Sequence, residues 1–260
     1  MNTSTIIFES SAGVARIYLN RPEIYNSFNQ VMSKEVQQAL DHCAERDEIR
    51  AIILSGAGKA FSAGQDLKEA IDPHGPDIKR IVDEHYNPLI SRMRTIEKPI
   101  ICAVNGVAAG AGANVALAGD IVVAKRSAVF IQAFSNIGLI PDSGGTFHLP
   151  RLIGWQKASA LMMLADKVDA VEAERMGMIY KWFDDDRFET EVEALAQKVA
   201  AMPTRGLALT KKLLNLSASN DLMSQLNAEG DMQVLAAATS DFKEGVKAFI
   251  EKRKPNFKGK

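Results

Sequence analysis

The sequence predicts an α/β core over residues 1–195 and a helical region over residues 196–260. Three observations predict this. Short apolar or β-branched runs at Thr5–Phe8, Val14–Leu19, Ala51–Leu54, Ile100–Val104 and Ile121–Ala124 read as strands. Between them, apolar residues recur three and four apart, the period of a helix with one buried face. After Leu149 the strand-like runs give way to helical patterns at 151–164, 170–176, 187–201, 204–216, 221–238 and 241–252. Alternation of strands and helices implies crossovers, and crossovers imply parallel pairing.

Each element has its own signal. Ser10-Ser11-Ala12-Gly13 separates the first two runs and makes them a strand pair, and Asn20-Arg21-Pro22 ends the second. Met32, Val36, Leu40 and Cys43 mark a helix over 30–46. Ser55 to Lys59 is a turn rich in small residues. Asp72–Asp77, with two prolines and a glycine, is the most loop-like insertion of the first half. Ile78, Ile81, Val82, His85, Leu89 and Met93 trace a helix over 78–95. Lys98-Pro99 opens a buried strand, and a helix follows near Ala111–Ala118. Pro203 and the Ser217–Asn220 cluster punctuate the C-terminal helices.

Composition narrows the function. The chain has 260 residues, 24% of them charged, and a net charge of −1, so no global field draws it to nucleic acid or an anionic membrane. Cys43 and Cys102 have no paired spacing, which argues against a disulfide framework or a structural zinc site. No apolar segment approaches the ~20 residues of a membrane span. The first residues lack a basic start and a long apolar run, so a cytoplasmic location is the expectation.

Two glycine-rich stretches imitate nucleotide motifs and fail. Residues 56–60 (GAGKA) carry Ile53 where a phosphate loop has its first glycine, and Ala60 where it has Ser or Thr. Gly110-Ala111-Gly112 has Val115 in place of the third glycine of a dinucleotide fingerprint. The small residues at 108–113 instead allow close approach of a ligand or of another backbone. A helix starting there would offer unpaired N–H groups to a developing oxyanion, although close helix–sheet packing explains them equally well. Phe61–Asp66 follows a strand, where α/β sheets place ligands; a tight turn is the alternative. Asp142 stands between Pro141 and Ser143-Gly144-Gly145, the setting of a turn or a cap. Its flanks are apolar, and such flanks raise a carboxyl pKa toward neutrality, where it can shuttle protons. His42, His74, His85 and His148 are scattered and form no metal pattern; Ser62, Ser135 and Ser143 lack a nucleophile elbow.

With these motifs the sequence resembles the enoyl-CoA hydratase/isomerase (crotonase) superfamily over nearly its whole length. The resemblance rests on NRP at 20–22 with Asn26, AGxD at 63–66 and NGxxxGxG at 105–112. It continues through Gly119-Asp120, GLIPDSGGT at 138–146 and AFIEKRKPNF at 248–257. It implies a spiral of ββα turns with a C-terminal helical trimerisation region, as a homotrimer or a hexamer of paired trimers. It implies an acyl-CoA thioester as substrate, with coenzyme A part of that substrate and no separate cofactor. The thioester oxygen would rest on the backbone N–H groups of Gln65 and Ala111, where most members have glycine in place of Ala111. Ile24, Ala63, Asp66 and Leu67 would line the coenzyme A path, with Gly110, Asn114 and Phe134 at the acyl group. Phe249 and Lys252 of a neighbouring subunit would cover the coenzyme.

The departures choose the reaction. Family hydratases activate water with two glutamates, and the matching positions here hold Asn114 and Phe134. Neither is a general base. Asp142 matches the position used by the family's double-bond isomerases, where one carboxylate removes a proton and returns it elsewhere. The motifs look most like those of members that rearrange the ring epoxide of phenylacetyl-CoA to an oxepin, and an apolar Phe134 suits a ring. The expectation is therefore an acyl-CoA isomerase. The alternatives are an enoyl-CoA hydratase in a β-oxidation-like degradation and, more remotely, a non-catalytic binding protein on the same fold.

Overall fold

The computed structural model describes residues 3–260. Strands β1 (Ile6–Ser11) and β2 (Val14–Leu19) form a hairpin through two residues, Ala12 and Gly13. Both have positive φ (49° and 81°), the geometry whose twist matches paired strands. A two-residue turn lets β1 run to Ser11, beyond the Phe8 limit expected from sequence.

From β2 onward the chain coils through repeated ββα turns. Each turn leaves one strand in each of two sheets. The strands are β3 (Ala51–Gly56), β4 (Ala60–Ser62), β5 (Ile100–Val104), β6 (Val107–Ala109), β7 (Ile121–Lys125), β8 (Val129–Ile131), β9 (Lys167–Asp169) and β10 (Lys181–Phe183). The six-stranded sheet has the order β1-β2-β3-β5-β7-β10, parallel from β2 to β10. The four-stranded sheet has the order β4-β6-β8-β9, with only β9 antiparallel to its neighbour. The larger sheet is buried on both faces. Ile52, Leu54, Ile100, Cys102 and Val104 point to the main core; Ala51, Ile53, Ile101, Ala103 and Val123 point to the helix Phe188–Ala200. That alternation is the two-residue period of a strand, and it makes the runs continuously apolar.

Several elements differ from expectation. Strands β6, β8, β9 and β10 have three residues each, and the last two lie in the stretch read as purely helical. The segment 151–164 is not one helix. Gly145–Ile153 and Trp155–Leu164 are separated at Gly154, whose φ of 81° no helix accommodates. The run over 78–95 is continuous, but Ile81–Tyr86 is a π-helical stretch within it. The helix Phe188–Ala200 crosses residue 195 and packs against the larger sheet along its length, through Phe188, Val192, Ala196 and Ala200.

Beyond it come the helices Thr204–Leu216, Leu222–Ala237 and Ser240–Ile250. The tail returns to the core: Lys258 and Gly259 N–H donate to the Asp241 carboxylate at 2.6 and 2.7 Å, and Arg50 Nη1 donates to the Phe257 carbonyl at 2.7 Å. Among the described residues no helix is long and apolar enough to cross a membrane.

Candidate active site

The first component is the turn after β4. Phe28 N–H donates to the Gly64 carbonyl at 2.7 Å, and Asp66 N–H donates to the Phe28 carbonyl at 2.8 Å. These two bonds form a parallel bridge around Gln65. In such a bridge the middle residue turns its own N–H to the opposite side. Gly64 makes the next step possible. Its φ is 93°, and a Cβ there would lie 2.9 Å from the Ala109 carbonyl and 3.3 Å from the Ala111 nitrogen. Without that Cβ, the turn lies directly on the start of the helix Ala111–Leu117. The Ala111 N–H, in the first helical turn, has no intrahelical acceptor. Neither this N–H nor that of Gln65 finds an acceptor among the described residues.

The second component is Asp142, just before the helix Gly145–Ile153. It is half-buried, and burial pushes its carboxyl up to about 6, against the pull of the Ser143 hydroxyl donating to Oδ1 at 2.9 Å. Ser143 itself is buried with φ of 52°, an uncommon backbone for a residue with a Cβ. The turn is held from the helix Ala111–Leu117. Asn114 Nδ2 donates to the Asp142 carbonyl at 2.9 Å, and Gly145 N–H donates to the same oxygen at 2.9 Å. Gln132 Nε2 donates to Asn114 Oδ1 at 2.9 Å, so both ends of the Asn114 amide are occupied within the chain. The packing is close: a Cβ on Gly145 would sit 2.3 Å from Asn114 Nδ2. Phe134, also buried, lays its ring edge about 3.9 Å from where a Cβ on Gly110 would be, one residue before Ala111.

The chain thus gathers Gln65, Gly110, Ala111, Asn114, Phe134 and Asp142 around one helix start. Asn114, expected at the acyl group, is 1% exposed and acts as a strut for the Asp142 turn. Asp66, expected on the coenzyme path, has its carboxylate committed: it caps the short helix at Lys68 N–H (3.1 Å) and accepts from Arg21 Nη2 at 2.9 Å. Ala63 and Leu67 beside it are exposed, and Ile24 is half-buried. Phe249 and Lys252 are not brought to this site within the chain. Phe249 is 86% exposed and lines a groove with Pro203, Phe242 and Phe257. A cleft of about 620 Å³ lined by Leu117, Asp120, Met178 and Lys211 likewise contains none of the gathered residues. The sequence reading missed two participants, Gln132 and Ser143. Ser143 follows the recognised Asp142, but Gln132 carries no local motif.

Residues 9–260 match the family described as Enoyl-CoA hydratase/isomerase. The chain belongs to this family. It is 46% identical, over 98% of its length and 98% of the relative's, to the 1,2-epoxyphenylacetyl-CoA isomerase of Escherichia coli strain K12. It is 44% identical over all of both chains to a probable enoyl-CoA hydratase of Rhodobacter capsulatus. The crystal structure of an enoyl-CoA hydratase from Polaromonas sp. JS666 superposes with a TM-score of 0.91 at 33% identity, covering 97% of this chain and 99% of that one. The fold is the crotonase-like one that the motifs implied, and membership makes the chain an acyl-CoA hydratase/isomerase-type enzyme.

Proposed function

We propose that this enzyme isomerises acyl-CoA thioesters with a single acid/base, Asp142. The observation that carries the reading is the lone carboxyl group raised to about 6, in a site where the hydratase glutamate positions hold Asn114 and Phe134. The family's hydratases hold and activate water with two carboxylates, whereas a proton shift needs only one. Asp142 takes a proton alpha to the thioester. The resulting enolate oxygen rests on the N–H groups of Gln65 and Ala111, donors aimed where charge develops. Asp142, now protonated, returns the proton at the gamma carbon, so the double bond moves and no atom is gained or lost. Coenzyme A enters as part of the substrate, and no further cofactor is required.

The substrate we favour is the ring 1,2-epoxide of phenylacetyl-CoA, with shifts of 3-enoyl-CoA double bonds as a second activity. The epoxide's C1–C2 bond opens as the ring double bonds shift, and the oxygen keeps both C–O bonds to give the seven-membered oxepin. The same alpha-to-gamma proton transfer places the double bond outside the ring. The activity of the Escherichia coli relative and the apolar Phe134 wall support this substrate. The Rhodobacter capsulatus relative, a probable enoyl-CoA hydratase, favours a second reading, hydration.

A combined mass and ultraviolet assay separates these. The epoxide, a 3-enoyl-CoA and a 2-enoyl-CoA are offered in parallel. Isomerisation leaves the mass unchanged and alters the spectrum; a gain of one water from the 2-enoyl-CoA establishes hydration instead. Asp142→Asn should keep the fold and lower kcat by ~100-fold or more, the scale of general acid–base catalysis. Turnover near wild type in that variant would remove Asp142 from the mechanism.

A further inference from the structure

We propose that Tyr86 and Glu69 are positioning residues that fix Gln65, and with it the Gln65 main-chain N–H, for the enolate; this rests on the isomerase reading above. Three side chains form a continuous tether. Tyr86 Oη donates to Gln65 Oε1 at 3.0 Å. Gln65 Nε2 donates to Glu69 Oε2 at 2.9 Å, and Glu69 Oε1 accepts from the Gln30 N–H at 3.0 Å. Gln30 begins the long helix Gln30–Glu45, so the tether ends on a rigid element. The order of partners is chemically determined. A carboxylate only accepts, so Glu69 must face the Gln65 amide nitrogen, and the amide oxygen is left for the Tyr86 hydroxyl.

Tyr86 is placed for this by the π-helical stretch. Asn87 N–H reaches back five residues to the Val82 carbonyl, and the wide turn buries Ile81, His85 and Tyr86 together. Single π turns of this kind recur at functional sites. The Tyr86 ring lies against Phe28, with centroids 5.8 Å apart. Phe28 is also the residue whose backbone brackets Gln65. The same aromatic pair therefore backs both the main chain and the side chain of Gln65. Burial raises the Tyr86 hydroxyl well above its ordinary value, and the nearby Asp142 and Glu69 carboxylates raise it further, so it remains a donor.

The tether matters because the main-chain bridge holds Gln65 from one side only. An oxyanion donor acts through fixed geometry, and its contribution grows as charge moves onto the oxygen. Loosening it costs more in the transition state than in the bound thioester. Such a loss appears in kcat, with KM little changed.

The test uses the full-length protein and a 3-enoyl-CoA. Tyr86→Phe keeps the ring on Phe28 and removes only the hydroxyl; Glu69→Ala removes the acceptor, and Glu69→Gln restores an acceptor oxygen. Tyr86→Phe and Glu69→Ala should each lower kcat about tenfold with KM within about twofold, less than the ~100-fold cost of deleting such a donor. Glu69→Gln should recover only part of the loss, since its single amide oxygen replaces one of the two acceptors that hold Gln65 Nε2 and the Gln30 N–H. Asp142→Asn is measured alongside. Wild-type kcat in Tyr86→Phe and Glu69→Ala with an inactive Asp142→Asn would overturn the tether and leave the isomerase reading standing. A fall in kcat matched by a rise in KM would also overturn it, since that marks a substrate-packing role. An active Asp142→Asn would instead overturn the isomerase reading itself.

Discussion

Asp142 is half-buried, and that burial pushes its carboxyl up to about 6 despite the Ser143 hydroxyl at 2.9 Å. A base must be ionised to take a proton, so kcat/KM for isomerisation should fall about tenfold per pH unit below about 6 and level off above it. An acid limb near the ordinary carboxylate value would show that the free enzyme's base is some other group. The same shift has a stability consequence of definite sign. The folded state holds this proton more tightly than the unfolded state. Its stabilising effect is therefore complete below the ordinary value of 3.8 and is lost as pH rises through about 6. Above that the ionised, half-buried carboxylate costs up to about 3 kcal/mol. Asp142→Asn should accordingly melt higher than the wild type at pH 8 and no higher at pH 4. Equal melting differences at the two pH values would contradict the burial argument.

The site exists because two elements touch: the turn carrying Gln65 and the helix Ala111–Leu117. Gly64 is the contact. A Cβ at that residue meets the Ala109 carbonyl at 2.9 Å and requires a φ of 93° from a residue that disfavours it. Gly64→Ala should therefore lower stability by about 1–3 kcal/mol and push the two N–H groups apart, with a loss of kcat beyond what unfolding explains. Full specific activity in the folded fraction would separate the turn from the chemistry. Much at this scale was legible in the sequence. Ala51–Leu54 and Ile100–Val104 are long enough to read as buried strands, and their two-sided burial explains why they are apolar throughout. Asp142 stood out because a carboxylate among apolar neighbours is an exception to ordinary composition. Strands β6 and β8 to β10 did not stand out, since three residues carry no period; their partners across the sheet define them. The Tyr86–Gln65 bond spans 21 residues and depends on a π turn, which has no local sequence signal. Asn114 was visible as a departure from the hydratase pattern, but its role as a strut required Gln132, 18 residues away, to be seen beside it.

The whole chain leaves apolar surface that its own core does not cover. The helix Leu222–Ala237 buries no residue, and Leu222 and Val234 are 72% and 71% exposed. The last helix is fixed on one side by Asp241, which is buried and holds the tail, and this turns Phe249 and Ile250 outward. Apolar surface of this extent on consecutive helices is characteristic of an interface. The resemblance implies a trimer, alone or paired as a hexamer, and the exposed C-terminal helices are the surface that would join its copies. Phe249 and Lys252 would then reach a neighbour's coenzyme, which accounts for their distance from Asp142 within one chain. Light scattering should give three or six times the chain's mass, and Val234→Asp with Leu235→Asp should reduce it. Phe249→Ala, in the intact assembly, should raise KM for the acyl-CoA with kcat little changed, because a residue that covers the coenzyme contributes equally to the bound substrate and the transition state. A monomer with full activity would leave the exposed helices without a role in the site, and an unchanged KM in Phe249→Ala would remove that residue from the coenzyme.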